Sequence, residues 1–281
     1  MGFDGGMSET LTPRQRAREQ TMADILRIGR EHLASQGAAG LSLRAVARDL
    51  GVVSSAVYRY VASRDELLTL LIVEAYNDLG SRVETVVAAA PADPFARFAA
   101  LADAVRGWAL REPARYALLY GTPVPGYQAP ADRTNDAGTR VVVALVGILS
   151  EAWATHAITG VPAGEDADHD LPPRLAADLE AIRLDYALAL PSWLVARAMS
   201  CWSGLFGAVN FEVFGHFGEA TLTDAGEMFD QTIRLLARQM GLVQQPELPV
   251  GEDGPGRGGA EHVSGLRGPH PSGARRRGAG D

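Results

Sequence analysis

The chain has 281 residues, 47% of them hydrophobic, which is enough for one large or two modest cores and excludes a wholly disordered protein. A single cysteine, Cys201, excludes an internal disulfide, and no run of 18 or more uncharged apolar residues marks a transmembrane helix. The net charge of −8 is unevenly spread: residues 11–64 hold nine Arg against Glu19, Asp24, Glu31 and Asp49, a local +5 that leaves −13 for the rest.

A basic segment on an acidic body fits a protein that docks phosphates at one end only. All 26 basic residues are arginine. The start, MGFDGGMSETLTPRQR, lacks the apolar core of a signal peptide, so a cytoplasmic protein is expected, with no membrane partner.

Residues 1–11 read as a disordered arm. Thr12-Pro13 is a helix start, a cap followed by proline at the first helical position. The helix runs to about Ser35 with Ile25, Leu26, Ile28, Gly29 and Leu33 inside, and Gly37 ends it. Arg14, Arg16 and Arg18 crowd its first turns, either as a solvated face or as phosphate contacts. From Leu41 the apolar positions Leu41, Leu43, Val46, Ala47 and Leu50 recur at helical spacing behind Ser42, an N-cap residue. Gly51 can take the left-handed conformation that ends a helix, and Val52 is expected to plug the corner. A second short helix begins near Ser54 and carries Ser55 to Tyr60. This is the outline of a helix-turn-helix, whose second helix enters the DNA major groove.

Ser63 with Glu66 forms a capping box for a long helix, Arg64 to about Ala89, lined by Leu67, Leu68, Leu71, Ile72, Ala75 and Leu79. Further helices are expected over Pro94–Leu110, from Glu112-Pro113 through Tyr120, from Thr134 to about Thr159, and from about Arg174 to Leu188. Residues 121–133 and 160–173 read as loops. Ser192 to Phe217 is apolar nearly all round, so one face should meet the core and another a second subunit. Thr223 or Asp224 caps a last helix that ends at Gly241. Residues 244–281 read as a disordered tail. The expected fold is all-α: an arm (1–11), a helix-turn-helix domain (12–63), a helical ligand-binding and dimerisation domain (64–243) and the tail.

On these residues the N-terminal region resembles the TetR family of transcriptional regulators. The resemblance rests on Leu43-Arg44-Ala45-Val46-Ala47, Leu50-Gly51-Val52, Val57-Tyr58-Arg59-Tyr60-Val61 and Ser63-Arg64-Asp65-Glu66-Leu67-Leu68, about 55 residues in all. Trp202-Ser203-Gly204-Leu205-Phe206-Gly207 and Arg115 to Gly121 are similar to a branch with a tryptophan–glycine motif in its regulatory domain. One departure is Val53, where the family has Ser or Thr to cap the recognition helix. The resemblance implies a homodimer joined through the last two helices of each subunit, here by Leu205, Val209, Val213, Phe229, Ile233 and Leu236. It also implies a small-molecule effector and repression that the effector relieves.

Two-fold reading of a palindromic double-stranded operator would set the heads about 34–36 Å apart. Ser42, Arg44 and Arg64 stand at helix starts suited to phosphate, and Tyr58 and Tyr60 can donate hydroxyls to it. Ser54, Ser55 and Ala56 are small enough to bring the helix against base edges, where Arg59 can read a base or hold a phosphate. The aromatic residues Trp108, Tyr116, Tyr120, Trp153, Trp193, Trp202 and Phe206 are core residues or the wall of an apolar effector pocket. Glu165–Asp170 lack helical or calcium-loop spacing, and Glu212 with His216, although spaced i,i+4, are read as structural, so no metal is expected; no cofactor is expected either, and no catalytic constellation appears. The expected function is ligand-responsive repression. The alternative is a helical small-molecule binding or sequestering protein with a non-functional head.

Overall fold

The computed structural model describes residues 12–161, 171–218 and 220–243; the expectations for 1–11, 244–281 and most of the acidic loop lie outside them. Among the described residues there are helices and no strand. Helix α1 spans Pro13–Gln36, α2 Leu43–Asp49, α3 Ser54–Val57 and α4 Arg64–Ala89. They are followed by α5 Pro94–Arg111, α6 Pro113–Tyr120, α7 Ala131–Gly138 and α8 Arg140–Ala154. The last three are α9 Pro173–Asp185, α10 Ser192–Val213 and α11 Ala225–Met240. Among the described residues, no single helix is long and apolar enough to cross a membrane.

The elements start and stop where side-chain chemistry dictates. Thr12 and Gln15 form a full capping box at α1, and Gly37 ends that helix at φ +69°. Asp93 caps α5 and Asp224 caps α11, each by accepting backbone N–H groups. At α4 the Ser63 hydroxyl accepts from the Glu66 N–H at 3.0 Å. The expected box closes only on that side, because Arg133 takes the Glu66 carboxylate through bonds of 2.6 and 3.0 Å.

Two apolar cores share α4. The first gathers Ile25, Ile28, Leu41, Leu43, Val46, Val57 and Val61 around Leu67, Leu68 and Leu71. The second gathers α5, α8, α10 and α11 around Ala75, Leu79 and Val83. Helix α4 is therefore the element that spans from the first core to the second. Helix α8 approaches it closely at Gly80, where a Cβ would fall 2.9 Å from the Arg140 Cβ. Arg140 lies across that site, forking to the Glu84 carboxylate at 2.7 and 2.6 Å and donating to the Asn77 carbonyl at 3.0 Å.

Several expectations are corrected. The run from Thr134 is not one helix, because α7 and α8 meet at a 43° bend at Gly138–Thr139. Its apolar pattern indicated a helix but not its direction. Glycine at the corner sits against the Tyr76 ring, and the bend lets α7 cover the start of α4 while α8 packs along its middle. Helix α10 stops at Val213, short of Phe217, because Gly215 turns left-handed and the His216 N–H bonds back to the Phe211 carbonyl. Val52 does not plug the turn; it is 40% exposed.

Gly80→Ala should destabilise the fold by about 1–3 kcal/mol, since Arg140 would have to leave the α4 surface together with its bonds. Thermal unfolding checks it; an unchanged midpoint would contradict the close approach.

Candidate nucleic-acid interface and regulatory cavity

The turn between α2 and α3 is built on Gly51 at φ +74°, with the Val52 N–H bonded to the Ala47 carbonyl at 3.0 Å. Helix α3 has only four residues, but the helical turns continue: Tyr58 N–H bonds to the Ser54 carbonyl and Tyr60 N–H to the Val57 carbonyl. Val57 and Val61 are buried in the first core and fix which face of this segment points out. The outward face holds Ser55, Tyr58 and Arg59, all exposed, with Ser54, Ala56 and Tyr60 half-buried beside them. Arg44 is exposed in the first turn of α2, next to half-buried Ser42. Ser42 occupies the N-cap of α2, yet its hydroxyl makes no capping bond, and Val53 leaves α3 likewise without a side-chain cap. Free N–H groups at two adjacent helix starts suit an anionic oxygen.

Arg64 differs from the other expected contacts. Its guanidinium turns inward and donates to the Ala38 carbonyl at 2.9 Å, fastening the α1–α2 corner to the start of α4. A second fastening joins α1 to α2: buried His32 Nε2 lies 2.6 Å from Asp49 Oδ2. That bond, reinforced by Arg48, holds the Asp49 carboxyl below its ordinary range. A third joins Arg30 of α1 to Glu74 of α4. None of these pairings was foreseen, because the partners are distant in sequence and follow no spacing rule.

The body contains an apolar cavity of about 590 Å³ between α8, α9 and α10. Val142, Val146, Ile182, Val195 and Met199 contribute to its wall, with Thr139 at the α7–α8 corner. No charged side chain lines it. Of the seven aromatics named as pocket residues, only Trp202 borders this cavity. Trp108 donates its indole N–H to Asp78 at 2.9 Å, and Arg115 donates to the same carboxylate oxygen at 2.7 Å. Trp153 and Trp193 pack edge to face, and Phe206 packs between Trp202 and Tyr120. Tyr116 lies against Tyr120. Burial pushes both tyrosine hydroxyls far above their ordinary pKa, so they stay protonated. These rings fill the core, while aliphatic side chains, less conspicuous in sequence, form the cavity wall. Cys201 is also buried, its thiol pushed up to about 12 and so unreactive.

Most of the residues expected to pair two subunits face inward in the single chain. Leu205, Val209, Phe229 and Ile233 are at most 4% exposed within the single chain, and Val213 and Leu236 are half-buried. What α10 and α11 leave outside is Met199, Phe211, Met228 and Leu235, 43–52% exposed, with Ser203 and Gly207 between the first two. Nearby, Glu212 accepts both arms of the Arg106 fork at 2.7 and 2.6 Å.

Residues 25–71 match the family model for bacterial regulatory proteins of the tetR family, and residues 98–236 match the tetracyclin repressor-like C-terminal domain. The chain is 48% identical over 224 residues to the HTH-type transcriptional regulator Rv1816 of Mycobacterium tuberculosis and equally to Mb1846 of Mycobacterium bovis. These alignments cover 79% of this chain and 93% of each relative. A crystal structure of the regulatory protein SCO4313 superposes with a TM-score of 0.65 at 34% identity, over 80% of this chain and 98% of that one. A Rhodococcus protein of unknown function shares the fold, with a TM-score of 0.58 at 22% identity over 84% and 99%. The chain, with a two-helix reader fixed on a helical body, belongs to the TetR family of helix-turn-helix transcriptional regulators.

Proposed function

We propose that this regulator is a repressor that binds a palindromic operator as a homodimer and is released by a small uncharged, apolar effector. The observation that carries the reading is the exposed set Ser55, Tyr58 and Arg59 on a segment pinned from behind by Val57 and Val61, with Arg44 exposed on α2. Such a set gives phosphate and base contacts from a rigid base. The working division is a head of residues 12–63 and a body of 64–243, with Trp202-Ser203-Gly204 marking the tryptophan–glycine branch. The protein acts in the cytoplasm, and its output is occupancy of DNA rather than turnover.

Pairing uses the outward face of α10 and α11. Small residues at Ser203 and Gly207 allow close helix approach, and Phe211, Met228 and Leu235 supply apolar area. The effector site is the α8–α9–α10 cavity. An ion entering a wall without charged or paired partners would lose its hydration uncompensated, which favours a neutral ligand. The cavity reaches Thr139 at the α7–α8 bend, and α7 holds the first turn of α4 through Arg133–Glu66. The Tyr127 hydroxyl reinforces this hold at 2.9 Å from the Thr69 hydroxyl. A ligand that shifts the bend would therefore move the helix start on which the head rests, and by linkage operator and effector must weaken each other equally.

Fluorescence anisotropy on the duplex upstream of the protein's own gene tests the reader. Arg44→Ala should weaken binding and reduce the log–log salt slope by about 1, as loss of a phosphate contact does. Arg64→Ala should weaken binding with the slope unchanged, because its guanidinium holds Ala38 rather than DNA. Absence of binding at low salt by the wild type would overturn the proposal.

Leu235→Arg should convert the dimer to monomer in sedimentation and weaken operator binding by an order of magnitude or more, since a buried unpaired charge is strongly disfavoured. The neutral probe N-phenyl-1-naphthylamine should bind the free protein and be weakened by operator DNA. Arg133→Gln should leave probe affinity intact but reduce that mutual weakening, and unchanged coupling would exclude the α7 route.

A further inference from the structure

The first two turns of α1 extend beyond the core that supports the rest of that helix. Residues 13–20 are all exposed, whereas Ile25, Ile28, Gly29, His32 and Leu33 are buried. An unpacked helical extension contributes little on its own, since helices owe most of their stability to packing. This one nevertheless begins with a full capping box, Thr12 N–H to Gln15 Oε1 at 2.8 Å and Gln15 N–H to Thr12 Oγ1 at 3.3 Å.

Its charges are ordered. At 3.6 residues per turn, Arg14 and Arg18 continue the stripe that holds Ile25, Ile28 and His32 further along. That stripe faces the helix-turn-helix where it is buried, and beyond the core arginine takes the place of the apolar residues. Arg18 confirms the direction: its guanidinium lies 5.7 Å from the centre of the Tyr60 ring, at the end of the recognition segment. Arg16 falls on the opposite side of the helix. Among the described residues, none of the three arginines has a carboxylate within ion-pair distance.

We propose that the start of α1 is a second DNA-contacting element. In this reading Arg14 and Arg18 hold backbone phosphates of the duplex flanking the site that α3 reads. The partner follows from charge and position. The stripe is cationic, it lies on the side of the recognition segment, and it meets that segment at Tyr60. Arg14 lies about 16 Å along the helix from Ile25, which carries the contact outward beyond the head's own core. Arg18 holds a phosphate and also steadies Tyr60. The element adds affinity without base selectivity, because phosphates carry no sequence. The proposal rests on the DNA-binding reading above and fails separately from it.

The test is a salt series on the full-length chain with the duplex upstream of its own gene. The Arg14→Gln/Arg18→Gln double variant should lower the log–log slope by about 2 per subunit, with affinity falling by roughly tenfold or more. Arg14→Gln alone should account for about 1 of that, and among the described residues the exposed Arg14 side chain makes no hydrogen bond or ion pair. Arg16→Gln should leave the slope close to wild type. Trimming base pairs from the ends of the duplex should erase the difference between wild type and double variant. Circular dichroism should show all variants equally helical. A double variant with the wild-type slope would overturn the proposal, as would an equal loss from Arg16→Gln, which would indicate diffuse charge. A wild type that binds no duplex would instead remove the reader itself, and this contact with it.

Discussion

The structure depends on α4 being continuous through two cores. Leu67, Leu68 and Leu71 at one end and Ala75, Leu79 and Val83 further along lie on one 26-residue helix. A helix of that length is a rod of about 39 Å, and its ends cannot shift independently without breaking backbone hydrogen bonds. Any rearrangement in the second core that moves α4 is therefore delivered to the first. The fastenings along the rod keep that delivery specific: Arg140 spans Gly80 in the middle, while Arg133, Tyr127 and Arg30 hold the half nearer the reader.

These fastenings exploit a chain whose cations are all arginine. Arg106 on Glu212, Arg133 on Glu66 and Arg140 on Glu84 each bind a carboxylate through two N–H groups. A lysine ammonium could neutralise the same charges but could not set the angle between helices through a planar fork. Most of these pairs are partly exposed, so their contribution lies in orientation more than in stability.

Local features were legible in the sequence. Thr12, Ser63, Asp224, Gly37, Gly51 and Gly241 marked helix ends because caps and left-handed turns depend on a residue and its near neighbours. The stripe on α4 gave the inward residues correctly because that helix has one apolar face. Helix α10 is apolar on every side, so periodicity could not separate Leu205 and Val209, which face the chain's own core, from Phe211, which faces out. The cavity proposed for the effector was not legible for a related reason. Aromatic residues attract notice, yet most of the seven rings are enclosed in the core; Trp202 alone of them borders the cavity, whose wall is otherwise mostly aliphatic with Tyr186. Ion pairs such as Glu66–Arg133 and His32–Asp49 join residues that only the finished fold brings together.

The position of α10 between the cavity and the outward apolar face has an evolutionary consequence. Met199 and Ser203 border the cavity and are also exposed on the helix, about three and two turns before Phe211. With the proposed effector site and pairing face, a substitution there alters both the shape of the cavity and the outward surface, so it must satisfy two selections at once. Val142 and Val146 on α8 and Ile182 on α9 carry no such double duty. On that proposal, lineages that diversify their response to new molecules should accumulate changes on α8 and α9 while α10 drifts slowly, which would leave the geometry of the proposed dimer, and with it the spacing of its two readers, largely inherited.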